Sequence, residues 1–204
     1  MKKILLVLFL QILIPKSFSQ TSAEFVAEGI KKQLLKDFKG AFKDFNNATL
    51  KDPTNAEAYF YEGLLCSKPE AGAFREFTIM NFNKAIELNP NYIEAYFYRG
   101  LEKIKLNDFR GAISDYDKAI EIDQNNYEAF AYRGIAKQQL HNDSGSLDDL
   151  NKAIEINPKY AFAYGARGIL RFNLNQKDKA CLDFSKAGEL GDTLSYDYIK
   201  QYCN

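Results

Sequence analysis

Arg99, Arg133 and Arg167 stand 34 residues apart, and each is followed sixteen residues later by an aspartate: Asp115, Asp149 and Asp183. A guanidinium presents a planar fork of donors that either grips a carboxylate at two points or captures a free anion. Since every arginine has its own carboxylate at the same offset, the pattern predicts ion pairs between helices. Such pairs set geometry and add little net stability.

Residues suited to catalysis are scarce. His141 is the only histidine and lies in the polar stretch HNDSGS, so no histidine-based triad or multi-histidine metal centre can be assembled. Asp143, Asp148 and Asp149 are close in sequence, but they lack the glycine and terminal glutamate of a calcium loop and read as a turn and helix start. There is no phosphate-cradling glycine loop and no CxxC motif. The chain is therefore expected to be no enzyme, with no metal and no cofactor.

What must position the arginines is a repeated element. The stretch Ile93 to Asn126 recurs along the chain as five units, residues 22–55, 56–92, 93–126, 127–160 and 161–194, four of them 34 residues long and the second 37. A period of about 34 residues marks paired-helix solenoids, in which a unit buries its apolar face only against its neighbours. With Ile93 as position 1, Tyr96, Gly100 and Lys103 share one stripe of a first helix, while Ala112, Tyr116, Ala119 and Ile120 share a stripe of a second. Asn107-Asp108 supplies the turn between them.

Position 8 is glycine in all five units (Gly29, Gly63, Gly100, Gly134, Gly168), although glycine in a helix costs about 1 kcal/mol relative to alanine. Repeating that cost implies close helix approach, and the reading places the small position-20 residues Ala41, Thr78, Ala112, Ser146 and Ala180 opposite the glycines. Position 24 is large (Phe45, Phe82, Tyr116, Leu150, Phe184) and position 27 is always alanine. Small and large residues thus alternate along the seam, as interdigitated packing requires. Residues 195–204 are too short for another pair and read as one closing helix over the last apolar face.

At these positions the chain resembles the tetratricopeptide repeat family over about 173 residues, Ser22 to Leu194. The resemblance implies an all-α, right-handed superhelical solenoid of five helix pairs plus a C-terminal capping helix. Two departures stand out: the family's proline at position 32, present as Pro53, Pro90 and Pro158, is replaced by Gln124 and Asp192, and the second unit has a longer loop marked by Pro69 and Gly72.

In that family the first helices line a concave groove through positions 2, 5, 9, 12 and 13, where a protein or peptide partner lies. Carried over, the groove begins with Val26 and Ile30 and continues through Phe60, Leu64, Phe97, Leu101, Ile104, Ala131, Ile135, Gln138, Phe162, Ile169 and Phe172. So apolar a stripe implies either an interaction surface or burial between successive first helices. The lysine and asparagine that clamp a terminal carboxylate in the chaperone-tail branch are absent from positions 5 and 9, which rejects that specificity. A small apolar ligand such as a lipid or glycan fragment is the alternative occupant.

The N-terminus reads as a signal peptide over residues 1–19, with an uncleaved anchor as the alternative. Lys2 and Lys3 precede an apolar run from Ile4 to Ile14, and Ser17 and Ser19 are the small residues of a cut near Ser19/Gln20. Eleven residues fall well short of the roughly 20 needed to cross a bilayer, so the mature chain is expected to have no transmembrane segment and to be periplasmic or secreted. Basic and acidic residues balance at 27 each, and without the leader's three lysines the balance turns acidic, which argues against nucleic acid as a partner.

The tail KACLDFSKAGELGDTLSYDYIKQYC also resembles the ending of exported repeat proteins of Bacteroidetes, in which two cysteines recur at this spacing. That likeness implies a bridge between Cys181 and Cys203, with two buried thiols as the alternative. Cys66, at position 11, reads as a buried small hydrophobe.

Overall fold

The computed structural model describes residues 20–68 and 77–203, which form eleven helices and no strand. The leader expected at residues 1–19, together with Pro69 and Gly72 of the long loop, lies outside the described residues. The chain divides into two compact units, one ending at Pro90 and the other beginning at Asn91.

The first unit holds α1 (Ser22–Leu34), α2 (Phe38–Lys51), α3 (Ala56–Cys66) and α4 (Thr78–Leu88). The second holds α5 (Ile93–Lys105), α6 (Phe109–Ile122), α7 (Tyr127–Gln139), α8 (Asp143–Ile156), α9 (Ala161–Asn173), α10 (Lys177–Glu189) and α11 (Thr193–Tyr202). Each repeat of the sequence is one helix pair, and α11 is the closing helix. It starts at Thr193 rather than at Ser195 because Asp192 caps it.

Short polar side chains write the helix boundaries. Asp37, Asp108, Asn126 and Asn142 each accept the N–H of the residue three further on, satisfying donors that a helix start leaves unpaired. Within the pairs the chain turns through a left-handed residue at position 15, namely Lys36, Asn107, His141 and Asn175, with φ of 59–62°. His141 is thus an exposed turn residue. Between pairs, the Oδ1 atoms of Asp52, Asp123 and Asn157 accept the N–H two residues on. Asp123 therefore shapes its junction without the proline that Gln124 replaces.

The helices of a pair meet where the glycines stand, but against a different neighbour from the one expected. A Cβ on Gly29, Gly63, Gly100 or Gly168 would lie 2.5–2.9 Å from the position-24 ring of Phe45, Phe82, Tyr116 or Phe184, not against the position-20 residue. At Gly134 a position-20 atom is among the nearest, the Ser146 carbonyl at 3.2 Å, beside Leu150 Cγ at 3.1 Å. Those four rings and Leu150 are at most 1% exposed, and position 27 is fully buried in every pair.

The arginine pairs form as the sequence predicts. The Nε atoms of Arg99, Arg133 and Arg167 donate to Oδ2 of Asp115, Asp149 and Asp183 at 2.9–3.0 Å, while Nη2 donates to Oδ1. A second cation at position 11, Lys103, Lys137 or Arg171, reaches the same carboxylate at 2.7–2.8 Å. Each guanidinium also lies over an aromatic ring one turn earlier, at Tyr96, Phe130 or Tyr164. Arg133 and Arg167 further bond Asp117 and Asn151 of the preceding pair, both at 2.6 Å, so one side chain fixes two seams.

The first unit departs from this scheme. Lys32 pairs with Asp44 at 2.6 Å, and in the next pair Glu62 and Cys66 stand at the two cation positions. Burial pushes the Glu62 carboxyl up, with the Asn81 amide opposing it, and burial followed by the Glu62 charge pushes the Cys66 thiol up to about 12.

Two predictions follow from the packing and from Glu62. Gly100→Ala should cost about 1–3 kcal/mol in urea unfolding because a buried ring has no room to retreat. Gly134→Ala, with looser neighbours, should cost less; equal losses would refute the ring contact as the cause. The raised Glu62 carboxyl makes the wild type lose stability as pH rises above the ordinary value of 4.5, because the fold then holds a buried charge. Glu62→Gln should therefore match wild type at about pH 3 and exceed it at about pH 7, read as thermal midpoints.

Candidate partner-binding site

The second unit contains a cavity of about 670 Å³ between α7, α9 and the junction of α10 with α11. Its size suits a bound side chain or small ligand. From α9 the lining comprises the small residues Ala161, Gly165 and Ala166 together with Phe162, Ile169 and Asn173. Gly165 occupies position 5, where the first helices of the other pairs carry Val26, Phe60, Phe97 and Ala131.

The facing wall comes from Leu190, Gly191, Asp192, Leu194, Ser195 and Tyr198. Gly191 takes a φ of 98°, which turns the chain sharply from α10 into α11 and needs glycine. Asp192 Oδ1 accepts the Leu194 N–H at 3.3 Å, and Oδ2 accepts the hydroxyl of the fully buried Ser195. A Cβ on Gly165 would lie 3.2 Å from Asp192 Oδ2, so the absent side chain lets the carboxylate approach α9.

Ring contacts, a disulfide and the Tyr196 hydroxyl, which donates to the Gly188 carbonyl at 3.1 Å, hold α11 in place. Tyr198 stacks on Phe184 with ring centroids 4.9 Å apart, and Tyr202 packs on Phe172 at 4.4 Å. Cys181 of α10 and Cys203 at the end of α11 are joined by a disulfide with Cα atoms 5.7 Å apart. The wall of the cavity is therefore tied to the last repeat through its far end.

The expected groove residues divide into three groups. Ile135, Gln138, Phe162 and Ile169 come together in the cavity. Phe162 also stacks on Tyr132 at 4.9 Å, and Tyr132 meets Phe97 edge-on at 5.4 Å, giving an aromatic row along α5, α7 and α9. Leu101 and Ile104 remain half-buried on α5, as does Leu64 on α3 in the first unit, while Phe172 is engaged by Tyr202.

Phe60 and Ala131 require correction. Phe60 is 5% exposed, packed on Tyr61 and Phe82, and Ala131 is fully buried among Leu150, Ala153, Ala163 and Leu170. Neither offers surface to a partner. Val26, at 3% exposure, is lost for the same reason. Sequence reasoning missed the wall from Leu190 to Tyr198; the signal that could have revealed it is the lone glycine at position 5 of the last unit, followed by an aromatic-rich closing helix.

Among the described residues no cluster of three or more His, Cys, Asp or Glu side chains is arranged to hold a metal ion. No described helix is long and apolar enough to cross a membrane.

Residues 93–126 match the family model described as Tetratricopeptide repeat. No curated protein sequence matches the chain significantly. A structure titled "Crystal structure of MamA protein" is 22% identical and superposes with a TM-score of 0.71, covering 83% of this chain and 91% of that one. YrrB, titled "a TPR protein with an unusual peptide-binding site", is 18% identical with a TM-score of 0.68, covering 87% and 90%. PilW, titled "widely conserved type IV pilus biogenesis factor", is 17% identical with a TM-score of 0.74, covering 83% and 77%. At these identities the likeness shows a shared all-α fold of helix pairs, and the tetratricopeptide repeat itself is matched at residues 93–126.

The disulfide makes a measurable claim. Closing a 22-residue separation contributes about 3 kcal/mol in the chain-entropy model, so Cys181→Ser should lower unfolding stability by roughly that amount. Thiol titration of denatured, unreduced wild type should find a single reactive cysteine, Cys66; three would overturn the bridge.

Proposed function

We propose that this chain is an exported binding scaffold that holds a protein or peptide partner along its first helices, anchored in the cavity between α7, α9 and α11. The observation that carries this reading is the cavity itself: mainly apolar walls with Gln138, Gln139, Asn173 and Asp192 placed among them. Apolar surface supplies affinity, and sparse polar groups orient a peptide backbone or side chain. The exposed edge of Phe162, at 37%, supplies an aromatic anchor whose stacking on Tyr132 has already removed much of its freedom.

The peptide-binding site named for YrrB supports a peptide as occupant here. Export is supported by the pattern of the first nineteen residues and by the Cys181–Cys203 bridge, since disulfides persist in oxidising compartments. The assembly it serves lies in the cell envelope or outside the cell. The scaffold acts by binding rather than by catalysis and does not take nucleic acid, consistent with its balanced charge.

The roughly 670 Å³ volume also favours a second reading, capture of a small apolar ligand such as a lipid or glycan fragment. Native mass spectrometry separates the two, because only the second predicts a retained small molecule on the purified chain.

Ala166→Phe places a ring on the cavity lining and should weaken partner or peptide binding at least tenfold while the helical circular dichroism stays near wild type. Undiminished binding would move the site elsewhere.

A further inference from the structure

Among the described residues that line the cavity, Asp192 is the only one with a charged side chain. Its described contacts are the Leu194 N–H and the Ser195 hydroxyl, and no described cation pairs with it. It stands at position 32, where other units carry Pro53, Pro90, Pro158 or Gln124, so the repeat pattern does not call for a carboxylate there. Nor does capping α11 require one, because asparagine caps a helix as well as aspartate.

We infer that Asp192 gives this cavity a preference for a peptide segment bearing a lysine or arginine next to a large apolar side chain; the inference rests on the peptide-binding reading above. The apolar side chain lies against Ala161 and Ala166 beside Phe162 and Ile169, and the cation meets the Asp192 carboxylate at the α11 end. A neutral apolar occupant would strip water from that carboxylate and return no bond, which is costly. An acidic segment would add repulsion in a partly desolvated site. A cation instead makes a charge-assisted hydrogen bond. The acceptor is preset, because the Ser195 hydroxyl holds one oxygen and Gly165 leaves room for the group to lie against α9. Binding thus pays little for ordering it.

Random heptapeptides displayed on phage are selected on the purified chain and, in parallel, on Asp192→Asn, a variant that keeps the cap. The expected result is enrichment of lysine or arginine beside leucine, isoleucine, phenylalanine or tryptophan on the wild type. On the variant the apolar preference should persist without the basic one. A selected peptide, resynthesised with an acetylated N-terminus, should bind the variant about tenfold more weakly. Replacing its lysine by norleucine should cost the same tenfold on wild type and nothing further on the variant, as a coupled pair requires.

Equal affinity of that peptide for both proteins overturns the role of Asp192 and leaves the peptide-binding reading standing. Loss of binding on acetylation assigns the cation to a chain terminus and overturns the side-chain assignment. Failure to enrich any peptide on either protein, or selected peptides that still bind Ala166→Phe with full affinity, overturns the reading beneath it.

Discussion

The architecture depends on how closely the two helices of a pair approach. A ring or leucine at position 24 of the second helix lies over the backbone of the first, and only a residue without a Cβ at position 8 leaves space for it. That contact brings the two helices close, and the other seam residues share its burial: the position-27 alanines are fully buried, and the rings themselves are sealed from solvent. Glycine's intrinsic helix cost of about 1 kcal/mol is offset by burying a large apolar group in each pair.

This constraint was legible in the sequence because it repeats. A single Gly100 says little, but glycine at one phase of five successive units, with a large residue sixteen further on in four of them and nineteen in the longer second unit, excludes chance. The arginine–aspartate pairs were legible for the same reason. Less legible was which residue meets the glycine. Positions 20 and 24 are separated by one helical turn and face the same seam, so spacing alone does not decide between them; the side chain's lean toward its own N-terminus does. The junctions show another limit. The family's proline at position 32 is absent at Gln124, yet an Asx turn at position 31 performs the bend there, and asparagine or aspartate is too common a choice to be diagnostic.

The binding surface was less legible than the fold because it depends on departures from the repeat. Carrying the groove over by position treats all first helices alike. In the structure, position 5 is buried at Phe60 and Ala131, half-buried at Phe97 and empty at Gly165. Whether a side chain at that position meets a neighbour or solvent depends on what stands on the adjacent first helix, and Tyr132 illustrates this by filling the space between Phe97 and Phe162. Periodicity identifies which residues share a face. The size of each occupant decides which of them remain accessible.

The end of the array is where those departures become a site. A repeat unit covers its neighbour with a full helix pair, but α11 is a single short helix, held to α10 by Tyr196, Tyr198 and the disulfide at its C-terminal end, and to α9 by Tyr202. Its N-terminal end is positioned by Gly191 and Asp192 and faces a stretch of α9 whose residues are too small to reach it. A larger residue at position 5 would have closed that gap and displaced the Asp192 carboxylate. The combination of Gly165, Asp192 and a cap anchored at its far end therefore covers the last seam while leaving one apolar chamber open. Among the described residues that line that chamber, the only charged side chain is the Asp192 carboxylate.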